Sequence, residues 1–323
     1  MKIGFIGCGG ISRTMANTIN NMHNSEIELY AVAARDLDRA IKFKNEFGAK
    51  VAYGSYEELC KDKNVDLVYV ATPHSHHYQH MMLALKNNKA VLCEKAFTMN
   101  AKQAESCINY AREHNLLLVE AIWTRFMPSR KIINDLISSD IIGKITSLSA
   151  NLGYSIAHVE RLQKPELCGG ALLDVGVYPL NFALMCFGND FSSIEASCLK
   201  SNLGVDYTNN FVLYYKDKVA HLQSTMLAST DRNGFIYGDN GYIKVDNINN
   251  PQEITAFNKD HKAIKHIDVP KQVSGYEYQL LECNECLKKG LKEAPSMPLD
   301  ETLFVMKTLD TIRAKMGIKY PME

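Results

Sequence analysis

Short apolar runs and longer amphipathic stretches take turns along the first 122 residues. Met1–Ile6, Glu28–Ala34, Ala49–Tyr53, Val65–Ala71, Ala90–Cys93 and Leu116–Ala121 are compact apolar runs that predict strands. Between them, the stretch from Ile11, Arg39–Phe47, His77–Asn87 and Ala101–His114 space their apolar residues as helices do. Ser55-Tyr-Glu-Glu58 reads as a capped helix start. Strand and helix alternating in this way build a parallel, doubly wound sheet, with ligands gathered at the carboxyl ends of its strands.

The pattern changes after residue 122. Phe126–Ser138 is helical, Lys144–Tyr154 alternates as a strand, and Gly169–Phe187 is an apolar helix started by glycine. From Ile194 to Val269 strand-like alternation recurs between turn signals such as Asp239-Asn-Gly241 and Asn249-Asn-Pro251. Gly275–Gly290 and Asp300–Met316 predict closing helices. The expected architecture is an α/β chain of two domains. Residues 1–122 form a dinucleotide-binding Rossmann domain. Residues 123–323 form a substrate-binding and dimerisation α+β domain on a mostly antiparallel open sheet.

Composition narrows the class. Of 323 residues, 46% are hydrophobic and 22% charged, with 36 basic against 36 acidic side chains. A net charge of zero argues against a nucleic-acid partner, which calls for a basic face. Met1 leads straight into a core strand, which leaves no room for a signal peptide. No apolar run reaches the roughly 18 residues expected of a membrane helix. Nine scattered cysteines fit reduced thiols and a cytoplasmic setting. Cys283-Asn-Glu-Cys286 stands alone inside a helical stretch, with no second pair at metal spacing, and no metal site is expected.

The first chemistry sits between the first two strands. Gly7-Cys-Gly9-Gly10-Ile11-Ser12 follows a strand and opens a helix, the context that gives a glycine-rich turn its meaning. Gly7 allows the tight turn, Gly9 lets the backbone approach a pyrophosphate, and the helix from Ile11 offers N–H groups to it. Ser12 stands where the third glycine of the pattern belongs. The second strand ends Ala33-Ala34-Arg35-Asp36. NAD-selecting folds place an acid at this end for the ribose 2′-hydroxyl, and NADP-selecting folds supply an arginine for the 2′-phosphate. Arg35 therefore points to NADP(H), with NAD(H) possible, unless Asp36 pairs with it. Thr72, Pro73, His74, Glu94 and Lys95 fall at the ends of later strands, with Trp123 just past the last. His74, His76 and His77 lack an acidic neighbour that would make them a zinc site.

Several stretches resemble the Gfo/Idh/MocA family of oxidoreductases over nearly the whole chain. They are the glycine turn, Ala71-Thr-Pro-His74-Ser-His-His77, Glu94-Lys95, Glu120-Ala-Ile-Trp-Thr-Arg-Phe-Met-Pro128 and Gly169-Gly-Ala-Leu-Leu-Asp174-Val-Gly-Val-Tyr178. The last two, with Gly275-Tyr-Glu-Tyr278 to Tyr320-Pro321, are similar to its dihydrodiol and xylose dehydrogenase branch. The resemblance implies that Lys95 orients a substrate hydroxyl and favours its alkoxide. It implies that Tyr178, where many members carry histidine, is the general acid or base, and that Asp174 orients the substrate or Lys95. His77 would lie near the cofactor, Trp123 would line the nicotinamide or substrate pocket, and Arg125 would reach the cofactor phosphates. Ala96, Asn181 and Cys168 depart from the family pattern, which usually has Pro, Asp and Gly there. Judged without the resemblance, Lys95 could be a surface partner of Glu94, and Tyr178 a core phenol.

The implied activity is NAD(P)-dependent hydride transfer from a secondary alcohol of a sugar, cyclic polyol or trans-dihydrodiol. The alternative is a regulator that senses NADP(H) without turnover. Alternation in Phe211–Tyr215 and His221–Leu227, together with the resemblance, predicts a homodimer or dimer of dimers joined through one sheet face.

Overall fold

The computed structural model describes residues 1–323, which divide into two compact units. The first unit is Met1–Phe126 with Gln272–Met306, and the second is Met127–Lys271 with Lys307–Glu323. A linear division at 122/123 is therefore not the division seen. Gln272–Met306 returns to the first unit because its side chains complete that unit's core, as Trp123 and Arg125 show below.

The first unit is a six-stranded parallel sheet in the order β3-β2-β1-β4-β5-β6. Its strands are β1 (Lys2–Ile6), β2 (Glu28–Ala33), β3 (Val51–Tyr53), β4 (Leu67–Val70), β5 (Ala90–Glu94) and β6 (Leu118–Ala121). The connecting helices are α1 (Gly10–Asn21), α2 (Leu37–Phe47), α3 (Tyr56–Lys61), α4 (His74–Lys86) and α5 (Ala101–Glu113). β1, β4 and β5 are buried almost throughout, as strands covered on both faces must be. Phe5 packs edge-on to Tyr69 at 4.9 Å and lies 6.2 Å from Phe43, tying α2 to the sheet. Burying such a side chain is worth about 1.5–3 kcal/mol. Strand order reverses between β1 and β4, which makes their carboxyl ends the switch point where such sheets bind ligands.

The second unit starts with α6 (Pro128–Ser138) and is built on an eight-stranded mixed sheet. Its strands are β7 (Ile145–Gly153), β8 (Ser193–Lys200), β9 (Asp206–Tyr214), β10 (Val219–Thr225), β11 (Gly234–Gly238), β12 (Gly241–Val245), β13 (Glu253–Asn258) and β14 (Ala263–Asp268). The order is β14-β13-β12-β11-β7-β10-β9-β8, antiparallel except where β7 meets β10. After the short α7 (Glu160–Gln163), a π-helical turn at Leu172–Gly176 runs into α8 (Val177–Phe187), which packs on β7 and β10. The stretch Pro165–Phe187 is long and apolar enough to cross a membrane, with mean hydropathy 1.5 over an 18-residue window, which corrects the expectation that no run is. Of that window 89% is buried inside the protein, so its apolarity serves the core of this unit. Two helices close the chain, α9 (Glu277–Lys289) in the first unit and α10 (Leu299–Lys315).

Candidate active site

The glycine turn is shaped by its neighbours. Gly7 has φ +109°, and a Cβ there would stand 2.8 Å from the Ala71 carbonyl oxygen. Only glycine suits both demands. Gly9 and Gly10 have open space where a Cβ would be, so packing does not explain them. A bare backbone instead leaves the amino end of α1 approachable. No side chain caps that end and no acid lies in its first turn, the condition under which a helix amino end suits an anion. Ser12 is fully buried with its hydroxyl unpartnered, a small residue that lets α1 close on the sheet.

Arg35 is exposed just past β2. Asp36 is committed elsewhere, because its carboxylate accepts the Asp38 amide at 2.9 Å and caps α2. The end of β2 therefore presents a guanidinium and no spare acid. The Arg35 charge reaches His76, His80 and Tyr56. Burial, and then neighbouring positive charge, holds His76 below its ordinary value and His80 down to about 4. Arg39, one turn into α2, is a second exposed guanidinium whose charge also bears on Tyr56 and Cys8. The motif reading missed it, because helix spacing alone makes it a solvated charge.

The ends of β4 and β5 are tied together by one imidazole. Pro73 precedes α4, which starts at His74, three residues earlier than the pattern predicts. His77 follows one turn on, and the two buried rings meet edge-on at 5.6 Å. His77 Nε2 bonds the Thr72 carbonyl at 2.7 Å, and Nδ1 bonds the Ala96 carbonyl at 3.0 Å. Two carbonyls ask for two N–H donors, and a neutral ring has one. Burial pushes the ring down to about 4 all the same, with the Lys95 charge a smaller cause in that direction. Thr72 Oγ1 and His80 Nδ1 share a further hydrogen bond of 3.0 Å.

Lys95 is half-buried on the turn after β5, across a cis Lys95–Ala96 bond. The turn is anchored around it. The Tyr69 hydroxyl donates to Glu94 Oε1, His77 holds the Ala96 carbonyl, and the Cys93 thiol lies 3.7 Å from the Phe97 carbonyl. Glu120 on β6 pairs in register with Cys93 and is wholly buried. Neither of its oxygens makes a regular hydrogen bond. Burial pushes its carboxyl up to about 7, eased by the Thr302 hydroxyl, the Arg125 charge and the Phe97 backbone. Nothing in the local pattern marks Glu120, since a glutamate in a strand normally faces water.

Trp123 and Arg125 form a 3₁₀ turn after β6, and both point into protein. Trp123 stacks on Tyr276 at 4.2 Å and 11°, and its ring lies against Gly275, where a Cβ would come within 2.5 Å. Arg125 is 3% exposed and pairs with Glu301 at 2.7 Å. A cavity of about 740 Å³ also opens in this unit, at the amino ends of β1, β2 and β4, away from the glycine turn. Its lining charges satisfy one another, as in Lys288–Glu26 at 2.6 Å and Lys89 on two carbonyls. No group of three or more His, Cys, Asp or Glu is arranged to hold a metal ion.

In the second unit, Asp174 and Tyr178 lie on the π turn and the first turn of α8, and both are buried. Cys168 has φ +56°, a conformation that suits the glycine usual at that place. Beyond it, Asp206 holds the start of the helical run. Its Oδ2 accepts the Leu172 amide and the Asn209 amide group, each at 2.7 Å, and Ser224 donates to Asn209 at 2.8 Å. Asn181 bonds back to the Val177 carbonyl at 2.8 Å. Arg161 Nη2 reaches Asp174 Oδ1 at 3.0 Å while remaining 43% exposed. The sequence reading missed Arg161 because α7 carries no helical signature of its own.

An uncapped helix end at a glycine turn, an exposed arginine past β2 and an anchored lysine, all at the carboxyl edge of one parallel sheet, define a nicotinamide-dinucleotide oxidoreductase. Residues 1–121 match the oxidoreductase family with an NAD-binding Rossmann fold, and residues 131–244 match the GFO/IDH/MocA carboxyl-terminal domain. The chain belongs to the Gfo/Idh/MocA family, and it is an NAD(P)-dependent enzyme acting on CH–OH groups. It is 36% identical over 327 residues to trans-1,2-dihydrobenzene-1,2-diol dehydrogenase of Xenopus tropicalis, covering 99% of each chain. The human protein of that name is 33% identical over 331 residues, covering 100% of this chain and 99% of its own. Among solved structures, KijD10, a 3-ketoreductase of Actinomadura kijaniata in complex with NADP and TDP-benzene, superposes with TM-score 0.89 at 26% identity, over 98% of each chain. Aldose-aldose oxidoreductase of Caulobacter crescentus shares the fold, with TM-score 0.87 at 19% identity over 98% and 97% of the two chains.

Proposed function

We propose that this enzyme uses NADP(H) and oxidises a secondary alcohol of a sugar, cyclic polyol or trans-dihydrodiol. The placement of Lys95 carries the proposal. A surface lysine needs no anchoring, yet this one stands on a turn fixed by His77, Cys93 and the Glu94–Tyr69 bond. Bound nicotinamide supplies the hydride acceptor. The chain supplies the rest. The Lys95 ammonium orients the hydroxyl and stabilises negative charge as its O–H bond breaks. Tyr178, starting as its phenolate, takes that proton to become a phenol and later releases it to solvent. Asp174, steadied by Arg161, orients the substrate. His77 is a tie between two strand ends. Gly7, Gly9, Gly10, Ile11 and Ser12 take the pyrophosphate, Arg35 the 2′-phosphate, and Thr72, Pro73, His74 and Glu94 shape the nicotinamide end.

The names of the relatives support the substrate class. The nine cysteines, none of them in a disulfide, support a reducing, cytoplasmic setting. The outer face of the eight-stranded sheet supports a homodimer, or a dimer of dimers. Tyr178→Phe keeps the ring and removes the acid–base group. Turnover with a sugar and diol panel, read as NADPH absorbance, should fall by about 10²–10⁴, with NADP affinity nearly unchanged. Near-normal turnover would remove Tyr178 from this account.

A further inference from the structure

The buried face of the eight-stranded sheet changes character where it meets the π turn. Phe211 and Leu213 of β9, facing Leu222 and Ala220 of β10, make it apolar. Two residues further along, Asn209 faces Ser224, and both are fully buried. Asp206, also fully buried, lies against Asn209. A regular strand would not bring Asp206 and Asn209 together, because residues three apart point to opposite faces. The pairing of β8 with β9 supplies the reason. Leu199 faces Thr208 and Lys200 faces Asp206, so Tyr207 is passed over as a bulge. A bulge re-aims the side chains beside it, and here it turns Asp206 to the same face as Asn209.

The three side chains form one line of hydrogen bonds that ends on the π turn. Ser224 Oγ donates to Asn209 Oδ1 at 2.8 Å, and Asn209 Nδ2 donates to Asp206 Oδ2 at 2.7 Å. The same Oδ2 accepts the amide of Leu172, the first residue of the turn Leu172–Gly176, at 2.7 Å. The line also touches the other end of the turn. A Cβ at Gly176 would stand 2.9 Å from Ser224 Oγ and 3.5 Å from Asn209 Oδ1. Just before the turn, a Cβ at Gly170 would stand 2.2 Å from Asp206 Oδ1. Glycine at both places lets the helical run lie directly on the polar side chains.

A buried polar set adds little stability over apolar residues of the same shape, because its members give up water to gain their partners. What a connected set does is fix one arrangement. π turns themselves recur at functional sites. This one has Asp174 at its centre and leads into Tyr178, two residues past its end. We propose that Asp206, Asn209 and Ser224 are positioning residues, which hold the π turn so that the Tyr178 phenol meets the reacting hydroxyl. Being fully buried, they touch neither substrate nor cofactor and act through Tyr178. This inference rests on the reading of Tyr178 as the acid–base group, and one arm of its test does not.

The test measures Asn209→Leu and Ser224→Ala at a temperature where circular dichroism shows each folded. Asn209→Leu should lower kcat by about 10–100-fold, the cost of a misplacement of about 1 Å. NADP affinity should change by less than about twofold, since the pyrophosphate and ribose contacts belong to the other unit. Ser224→Ala, the milder change, should move kcat in the same direction and decides the matter if Asn209→Leu does not fold. Combined with Tyr178→Phe, either substitution should cost less than about threefold more, because groups that act as a unit are lost together. The same loss in both backgrounds, or no loss in either, would overturn the positioning role. Fluorine NMR on enzyme carrying meta-fluorotyrosine reads placement without turnover. The Tyr178 signal, identified by its absence from Tyr178→Phe, should shift or broaden in both variants. If Tyr178→Phe turns over normally, a moved signal would uphold the hold on Tyr178 while its acid–base role falls. An unmoved signal would sink the inference.

Discussion

Arg35 stands exposed at the end of β2, and its neighbour Asp36 is occupied in capping α2. A 2′-phosphate brings two charges and acceptor oxygens to that position, whereas a bare ribose hydroxyl brings neither. Hydrogen bonds to charged groups are worth about 1.5–3 kcal/mol, or roughly 10–100-fold in affinity. Arg35→Ala should weaken NADP binding by that factor and leave NAD binding unchanged, measured by fluorescence titration of both cofactors. Equal NADP affinity in the two proteins would take Arg35 out of the site. Gly7 was legible because a turn is local chemistry. Asp36, weighed as a partner for Arg35, instead caps a helix that starts two residues before the Arg39 read from the pattern. The neighbours of Trp123 and Arg125 were not legible. Arg125 reads as a contact for cofactor phosphates, and its partner Glu301 lies 176 residues further on. Trp123 reads as a pocket wall until Tyr276 is seen to cover it.

The helical run of Asp174 and Tyr178 makes the same point for an element. Its apolar pattern predicts one helix over Gly169–Phe187, while the structure has a left-handed residue at Cys168, a π turn and then α8. Asp206, from another element, takes the Leu172 amide, and no local pattern announces that bond. Burial pushes the Asp206 carboxyl up to about 6 from an ordinary 3.8. Between those values the folded protein keeps a proton that the unfolded chain has released. The contribution of this group to stability is therefore full below 3.8 and lost as pH rises through about 6. The gap amounts to about 3 kcal/mol. Asp206→Asn retains an acceptor for Leu172 and Asn209 and cannot ionise. Its stability relative to the unsubstituted enzyme, from urea unfolding, should improve by up to about 3 kcal/mol between pH 4 and pH 7. A pH-independent difference would mean that Asp206 is not buried as a titrating acid.

On the scale of the molecule, the alternation in Phe211–Tyr215 and His221–Leu227 turns alternate residues to the two faces of the sheet. Phe211 and Leu213 turn inward with Ala220 and Leu222. The outer face carries Phe235 and Tyr237 of β11, Tyr242 of β12 and Phe257 of β13, with Tyr242 and Phe257 stacked at 4.8 Å. Pattern alone could not tell which face α8 would cover, because both faces of β9 carry apolar residues. We expect a homodimer through this aromatic face, read by light scattering at micromolar concentration. Tyr242→Glu should shift it toward monomer with its fold retained by circular dichroism. A monomer before substitution would contradict the assembly.

The return of Gln272–Met306 to the first unit bears on the order in which the protein is made. A ribosome that has finished Phe126 has produced all six strands of the parallel sheet and neither Tyr276 nor Glu301. Until those emerge, Trp123 lacks its stacking partner and Arg125 the carboxylate that neutralises it. The nascent dinucleotide-binding unit therefore waits, with an open flank, while the whole eight-stranded sheet is translated. Its last core contacts close only after the other unit has had time to fold.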